Sequence, residues 1–96
     1  MTHAQIVAAL EDLKAEIIAY GVESLRLFGS HARGTPSRNS DIDMIVTFRG
    51  PATFDAFMGL KNLLEDRLGR RVDLVTDRAL RSDLRSTIER EAIRVA

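Results

Sequence analysis

The sequence predicts the α+β class: one small mixed sheet with helices packed on one face. Two observations lead there. Segments with apolar residues at helical spacing alternate along the chain with short segments of period-two alternation, and a two-layer arrangement buries the apolar side of both. Two of the strand-like segments also gather aspartates on their polar side, so the helices belong on one face and the carboxylates on the other, open one. At 96 residues the chain is long enough for one core and too short for two, and residues 1–96 read as a single domain. A substrate lid or second domain has to come from a partner.

The first element is a helix from about Thr2 to Tyr20. Thr2 and Gln5 match a capping box, and Ile6, Leu10, Leu13, Ile17 and Ile18 recur at helical spacing. Gly21 stops it, because glycine takes the left-handed conformation after a helix at little cost. Val22 to Phe28 is the first strand, with Leu25 and Leu27 alternating against Arg26. Gly29 to Ser40 is rich in Gly, Ser, Thr, Pro, Asn and Arg and is a loop, with room for one helical turn near Ser30 to Arg33. In the second strand, Asp41 to Phe48, the residues Ile42, Met44, Val46 and Phe48 share one face and Asp41, Asp43, Ile45 and Thr47 the other. Gly50 and Pro51 mark a turn, Thr53 caps, and Phe54, Phe57, Met58, Lys61, Leu64 and Leu68 indicate a helix that ends at Gly69. The third strand, about Arg71 to Val75, sets Val72 and Leu74 against Asp73. A last helix is expected near Ser82 to Ala92, with Leu84 and Ile88 inward. Alternation alone does not give the strand order.

Composition narrows the function. The chain is 45% hydrophobic and 29% charged, a balance that favours a folded, water-exposed domain over disorder. Cysteine is absent, which removes disulfides, thiolate metal sites and a cysteine nucleophile and suits the cytoplasm. The first residues lack the basic flank and apolar run of a secretion signal, and no segment approaches the roughly 20 apolar residues that span a bilayer. With 14 basic and 14 acidic residues the formal charge is zero, so no overall field draws in a polyanion and stable nucleic-acid binding is not expected.

Asp41 and Asp43 carry the strongest signal. An acid-x-acid pair on a strand places two like charges on one face, about 7 Å apart at the Cα atoms. That arrangement is costly without a counter-ion, and a divalent cation is the natural one: Mg²⁺ binds through oxygen, takes one or two carboxylates and leaves positions for water and substrate phosphates. A solvated strand end is the competing reading of the dipeptide alone. Gly29 and Ser30 shift the balance, since they stand where a strand hands over to a possible helical turn, a place where backbone N–H groups cradle phosphate oxygens. Glycine permits close approach there, and the serine adds a hydroxyl donor.

The run Leu27-Phe28-Gly29-Ser30-His31-Ala32-Arg33-Gly34, followed by Ser40-Asp41-Ile42-Asp43-Met44-Ile45-Val46, resembles the minimal nucleotidyltransferases (MNT), a branch of the DNA polymerase β superfamily. Their signature is Gly-Ser, ten residues, then Asp-x-Asp, and His31 to Ser40 supply those ten. The resemblance continues through Arg71-Val72-Asp73-Leu74-Val75 and covers nearly the whole chain. It implies a polymerase β-like nucleotidyltransferase fold, Asp41 and Asp43 as metal ligands, Gly29 and Ser30 on the triphosphate, and Asp73 completing an acidic triad. Two Mg²⁺ ions and ATP are the implied cofactor and substrate. Proteins of this size resemble the antitoxin of HEPN/MNT toxin–antitoxin pairs, which implies AMP transfer to a tyrosine of a HEPN ribonuclease toxin and a hetero-oligomer with it. A non-catalytic antitoxin that works by binding, or a transferase for RNA or a small molecule, are the alternatives.

The remaining candidates are weaker. Asp73 shares the face parity of Asp41 and Asp43, or it pairs with a nearby arginine such as Arg71. Arg33 contacts phosphate through its guanidinium fork or ties the loop to a carboxylate. Arg38 reads as solvated, His3 and His31 as neither ligands nor bases, and Arg78, Arg81, Arg85, Arg90 and Arg94 as a solvated face that could meet an acidic partner.

Overall fold

The computed structural model describes residues 3–28, 41–77 and 93–94. It opens with α1 (His3–Asp12) and α2 (Lys14–Ala19). The first helix, expected as one piece, is therefore interrupted at Leu13. There the Leu13 N–H donates to Leu10 O at 3.0 Å, while Leu13 O accepts from Ile17 N at 2.9 Å. One tightened, i→i+3 hydrogen bond marks the interruption, and Ile6, Leu10, Leu13 and Ile17, at the 4-3-4 spacing of one helix face, are all buried. Ile18, expected in the same stripe, is 46% exposed, because a neighbour of Ile17 lies about 100° away around the helix. Gly21 ends α2 with φ at +85°, as its position suggested, and its carbonyl accepts from Arg49 N at 2.9 Å.

β1 (Val22–Phe28) and β2 (Ile42–Phe48) pair antiparallel. A bulge lies between Val22 and Ser24. The extra residue, Glu23, is exposed, and the shift it introduces lets Val22 join Leu25 and Leu27 in the core although strict alternation would turn it outward. β2 keeps its alternation on the inner side, with Ile42, Met44 and Val46 fully buried.

α3 (Phe54–Leu68) follows. Thr53 caps it, its hydroxyl oxygen accepting from Ala56 N at 3.1 Å, and Gly69 ends it in the left-handed conformation, φ 65° and ψ 25°. Its buried stripe is Leu60, Leu64 and Leu68. The expected stripe missed Leu60 and included Phe54, which is 77% exposed and lies about 80° around the helix from the middle of the observed stripe. Gly59 is the other unexpected feature: a Cβ there would come within 2.6 Å of Tyr20 Cε1. The ring at the end of α2 thus lies against a bare patch of α3.

β3 (Val72–Thr76) runs parallel to β2. Parallel neighbours need a crossover connection, and α3 supplies it. The two-residue β4 (Ile93–Arg94) pairs antiparallel with β1, giving the order β3-β2-β1-β4 and a mixed sheet. This last strand was not anticipated, since two paired residues leave no alternation to detect. The expected helix near Ser82 to Ala92 lies outside the described residues.

One core unites the helices with the inner face of the sheet: Ile6 and Leu10 of α1, Leu60, Leu64 and Leu68 of α3, and Leu25, Leu27, Met44, Val46 and Leu74 of the strands. The opposite face carries Asp43 and Asp73. It is open toward that end, with Asp73 exposed, but closed farther along, where Ile45 is 0% exposed.

Candidate active site

The carboxylates are positioned by the paired starts of two parallel strands. Ile42 N donates to Arg71 O at 2.9 Å, which fixes where β2 and β3 begin relative to each other. The register that follows sets Asp43 opposite Asp73. Neighbouring strands lie about 4.8 Å apart and opposed residues share a face, so the sheet places both carboxylates side by side. Asp43 is half-buried and Asp73 exposed. Asp41, just before β2, is exposed.

Glu65 secures this edge. Its Oε2 accepts from Val72 N at 3.0 Å, satisfying a backbone donor at the start of a strand whose outer edge has no sheet neighbour among the described residues. A cleft of about 220 Å³ opens here, lined by Asp41, Lys61, Glu65, Arg71, Val72 and Asp73. Lys61 and Arg71 thus bring positive charge next to two of the three aspartates. Lys61 was read only as one of the residues that indicate this helix, and Glu65 carried no expectation. A signal for both existed: they are four residues apart on one helix face, in the turns just before Gly69 sends the chain back along β2. Among the described residues no ion pair joins Asp73 to Arg71, the structural role that competed with a place in the site.

Gly29, Ser30 and Arg33 lie outside the described residues. Phe28, the residue before Gly29, is opposite Asp43 in the β1–β2 register. The strand that leads into the Gly-Ser pair therefore ends beside the carboxylate face.

The donor set suits Mg²⁺ in kind, being made of carboxylate oxygens with two of them in register. Among the described residues, however, no three His, Cys, Asp or Glu side chains converge closely enough to hold a metal ion. The sheet supplies adjacent positions for Asp43 and Asp73, with Asp41 at the approach to β2.

Residues 3–95 match the family model described as the nucleotidyltransferase domain. The chain belongs to this family. The nucleotidyltransferase is 38% identical over 76 residues to the protein adenylyltransferase MntA of Thermococcus cleftensis, a match that covers 79% of this chain and 77% of that one. A solved structure assigned as a minimal nucleotidyltransferase superposes with a TM-score of 0.85 at 38% identity, over 97% of this chain and 95% of that one. A crystal structure of a toxin–antitoxin with AMP-PNP superposes with a TM-score of 0.71 at 27% identity, over 90% of this chain and 72% of that one. The fold is the polymerase β-like nucleotidyltransferase fold, and the chemistry is nucleotidyl transfer. Among the described residues no helix is long and apolar enough to cross a membrane.

Proposed function

We propose that this nucleotidyltransferase is an antitoxin that moves AMP from ATP to a tyrosine hydroxyl of a HEPN ribonuclease toxin in the cytoplasm, with Mg²⁺ as cofactor. The observation that carries the reading is the in-register pair of Asp43 and Asp73 across β2 and β3, beside the end of the strand that leads into Gly29 and Ser30. Likeness to an adenylyltransferase, and to a toxin–antitoxin structure with an ATP analogue, supports the choice of nucleotide and partner.

In this reading the tyrosine oxygen attacks the α-phosphorus, a new O–P bond forms, the bond to the bridging oxygen breaks, and pyrophosphate leaves. Asp41 and Asp43 hold Mg²⁺, which neutralises phosphate charge when bound. Asp73 takes the tyrosine proton or shares the metal. Gly29 and Ser30 hold the triphosphate through backbone N–H groups and the hydroxyl, and Arg33 braces their loop or adds a phosphate contact. The acceptor comes from the toxin, so the working unit is a hetero-oligomer.

The test incubates the protein with purified toxin, Mg²⁺ and labelled ATP. Label should appear on the toxin, and Asp41→Ala or Asp43→Ala should reduce it by about 100-fold or more, the scale on which loss of transition-state charge stabilisation is felt. Undiminished transfer by either variant overturns the assignment. The competing reading is an antitoxin that silences its toxin by binding alone. A variant with all three aspartates replaced by alanine that still silences the toxin in full decides for it.

A further inference from the structure

Arg26 is the group that the proposed chemistry leaves unused. It lies in β1 with Ile45 directly opposite on β2, and Asp43 one step along the same ladder face. The residue is only partly exposed, and among the described residues its buried Nε has no hydrogen-bond partner. A guanidinium stays charged at any pH a folded protein tolerates, so a buried N–H on it needs an acceptor. Ile45 offers none.

We propose that Arg26 contacts a phosphate of the bound nucleoside triphosphate, taking a non-bridging oxygen through its guanidinium. The inference rests on the nucleotidyl-transfer reading and adds to it a phosphate contact outside the Gly-Ser loop. Asp43, a proposed metal ligand, lies on the adjacent strand within about 8 Å at the Cβ atoms for a diagonal pair, a gap that an arginine side chain spans. Phosphate recognised by a planar fork also accounts for an arginine here in place of a lysine. The alternative is that the aliphatic stem of Arg26 only packs against Ile45 and its charge is incidental.

The experiment measures binding of ATP, of adenosine and of inorganic tripolyphosphate to the wild type, Arg26→Met and Arg26→Lys, with thermal melting of each as the folding control. Methionine keeps the stem, so a packing role predicts unchanged melting and unchanged affinity for all three ligands. The phosphate contact predicts that Arg26→Met weakens ATP and tripolyphosphate by about 10-fold or more and leaves adenosine unchanged, with Arg26→Lys in between. Full ATP affinity in Arg26→Met overturns the proposal and leaves the transferase reading standing. If the wild type binds tripolyphosphate through Arg26 but not ATP, the anion contact survives and the nucleotide reading falls. Wild type that binds neither overturns both.

Discussion

At the scale of single residues, the pairing of Asp43 with Asp73 is the least comfortable feature of the sheet. Two carboxylates in register on parallel strands repel, and removing one charge in the absence of metal should stabilise the fold by up to about 1 kcal/mol. Asp73 is the exposed member, so Asp73→Asn should raise the metal-free melting temperature by roughly 2–5 °C while lowering transfer to the toxin. Mg²⁺ should raise the melting temperature of the wild type more than that of the variant. Calorimetry with and without Mg²⁺ reads both, and a lower metal-free melting temperature for Asp73→Asn would show that the carboxylate is structural. The position of these aspartates was legible in the sequence because period-two alternation fixes which side of a strand each residue takes. Helical neighbours were harder: Ile17 and Ile18 are both apolar, yet only Ile17 meets the sheet, and Leu60 was masked by Phe57 and Met58 just before it. A helix with apolar residues on several sides does not reveal which stripe its partner will cover.

At the scale of elements, local chemistry set the boundaries and long-range contacts set what could not be foreseen. Thr53 and Gly69 end α3 where a capping hydroxyl and a left-handed glycine belong, because both act within a turn of the helix. The bulge at Glu23 depends on the partner strand, so no local pattern announces it. Glu65 is a similar case, since its bond to Val72 N exists only once α3 has folded back along β3. That bond joins a charged acceptor to a part-buried backbone donor on the strand that carries Asp73. Glu65→Ala should therefore cost about 1–3 kcal/mol, and Glu65→Gln, which keeps an acceptor oxygen, distinctly less. Urea unfolding of the two variants separates them. Equal losses would mean that Glu65 acts through charge in the cleft and not through the Val72 N–H. By contrast, the Glu16–Arg67 contact between α2 and α3, 3.6 Å long with both side chains about half exposed, adds little, as solvated pairs of this kind do.

At the scale of the whole molecule, one sheet divides the labour between its two faces, and the inner face was the more legible. Apolar residues repeat at helical or strand spacing whether or not their partners are known, so most of the core was readable before the strand order was. The order β3-β2-β1-β4 depends on pairing, which a single sequence does not express, and the two residues of β4 are too few to leave a pattern. The division has a testable consequence in β2, where Asp43 and Met44 are adjacent and face opposite ways. Met44 is fully buried in the common core, and Met44→Ala should cost about 2–5 kcal/mol of a total that is only about 5–15 kcal/mol for a folded domain. Its melting temperature should fall sharply. Below that temperature, transfer per folded molecule should stay near the wild-type rate, because the register that sets Asp43 against Asp73 is a backbone property. Asp43→Ala should do the reverse, reducing transfer by about 100-fold or more without that fall in melting temperature. If Met44→Ala abolished transfer at temperatures where the protein remains folded, the two faces would be coupled, and the sheet would have to be treated as a deformable part of the site and not its rigid support.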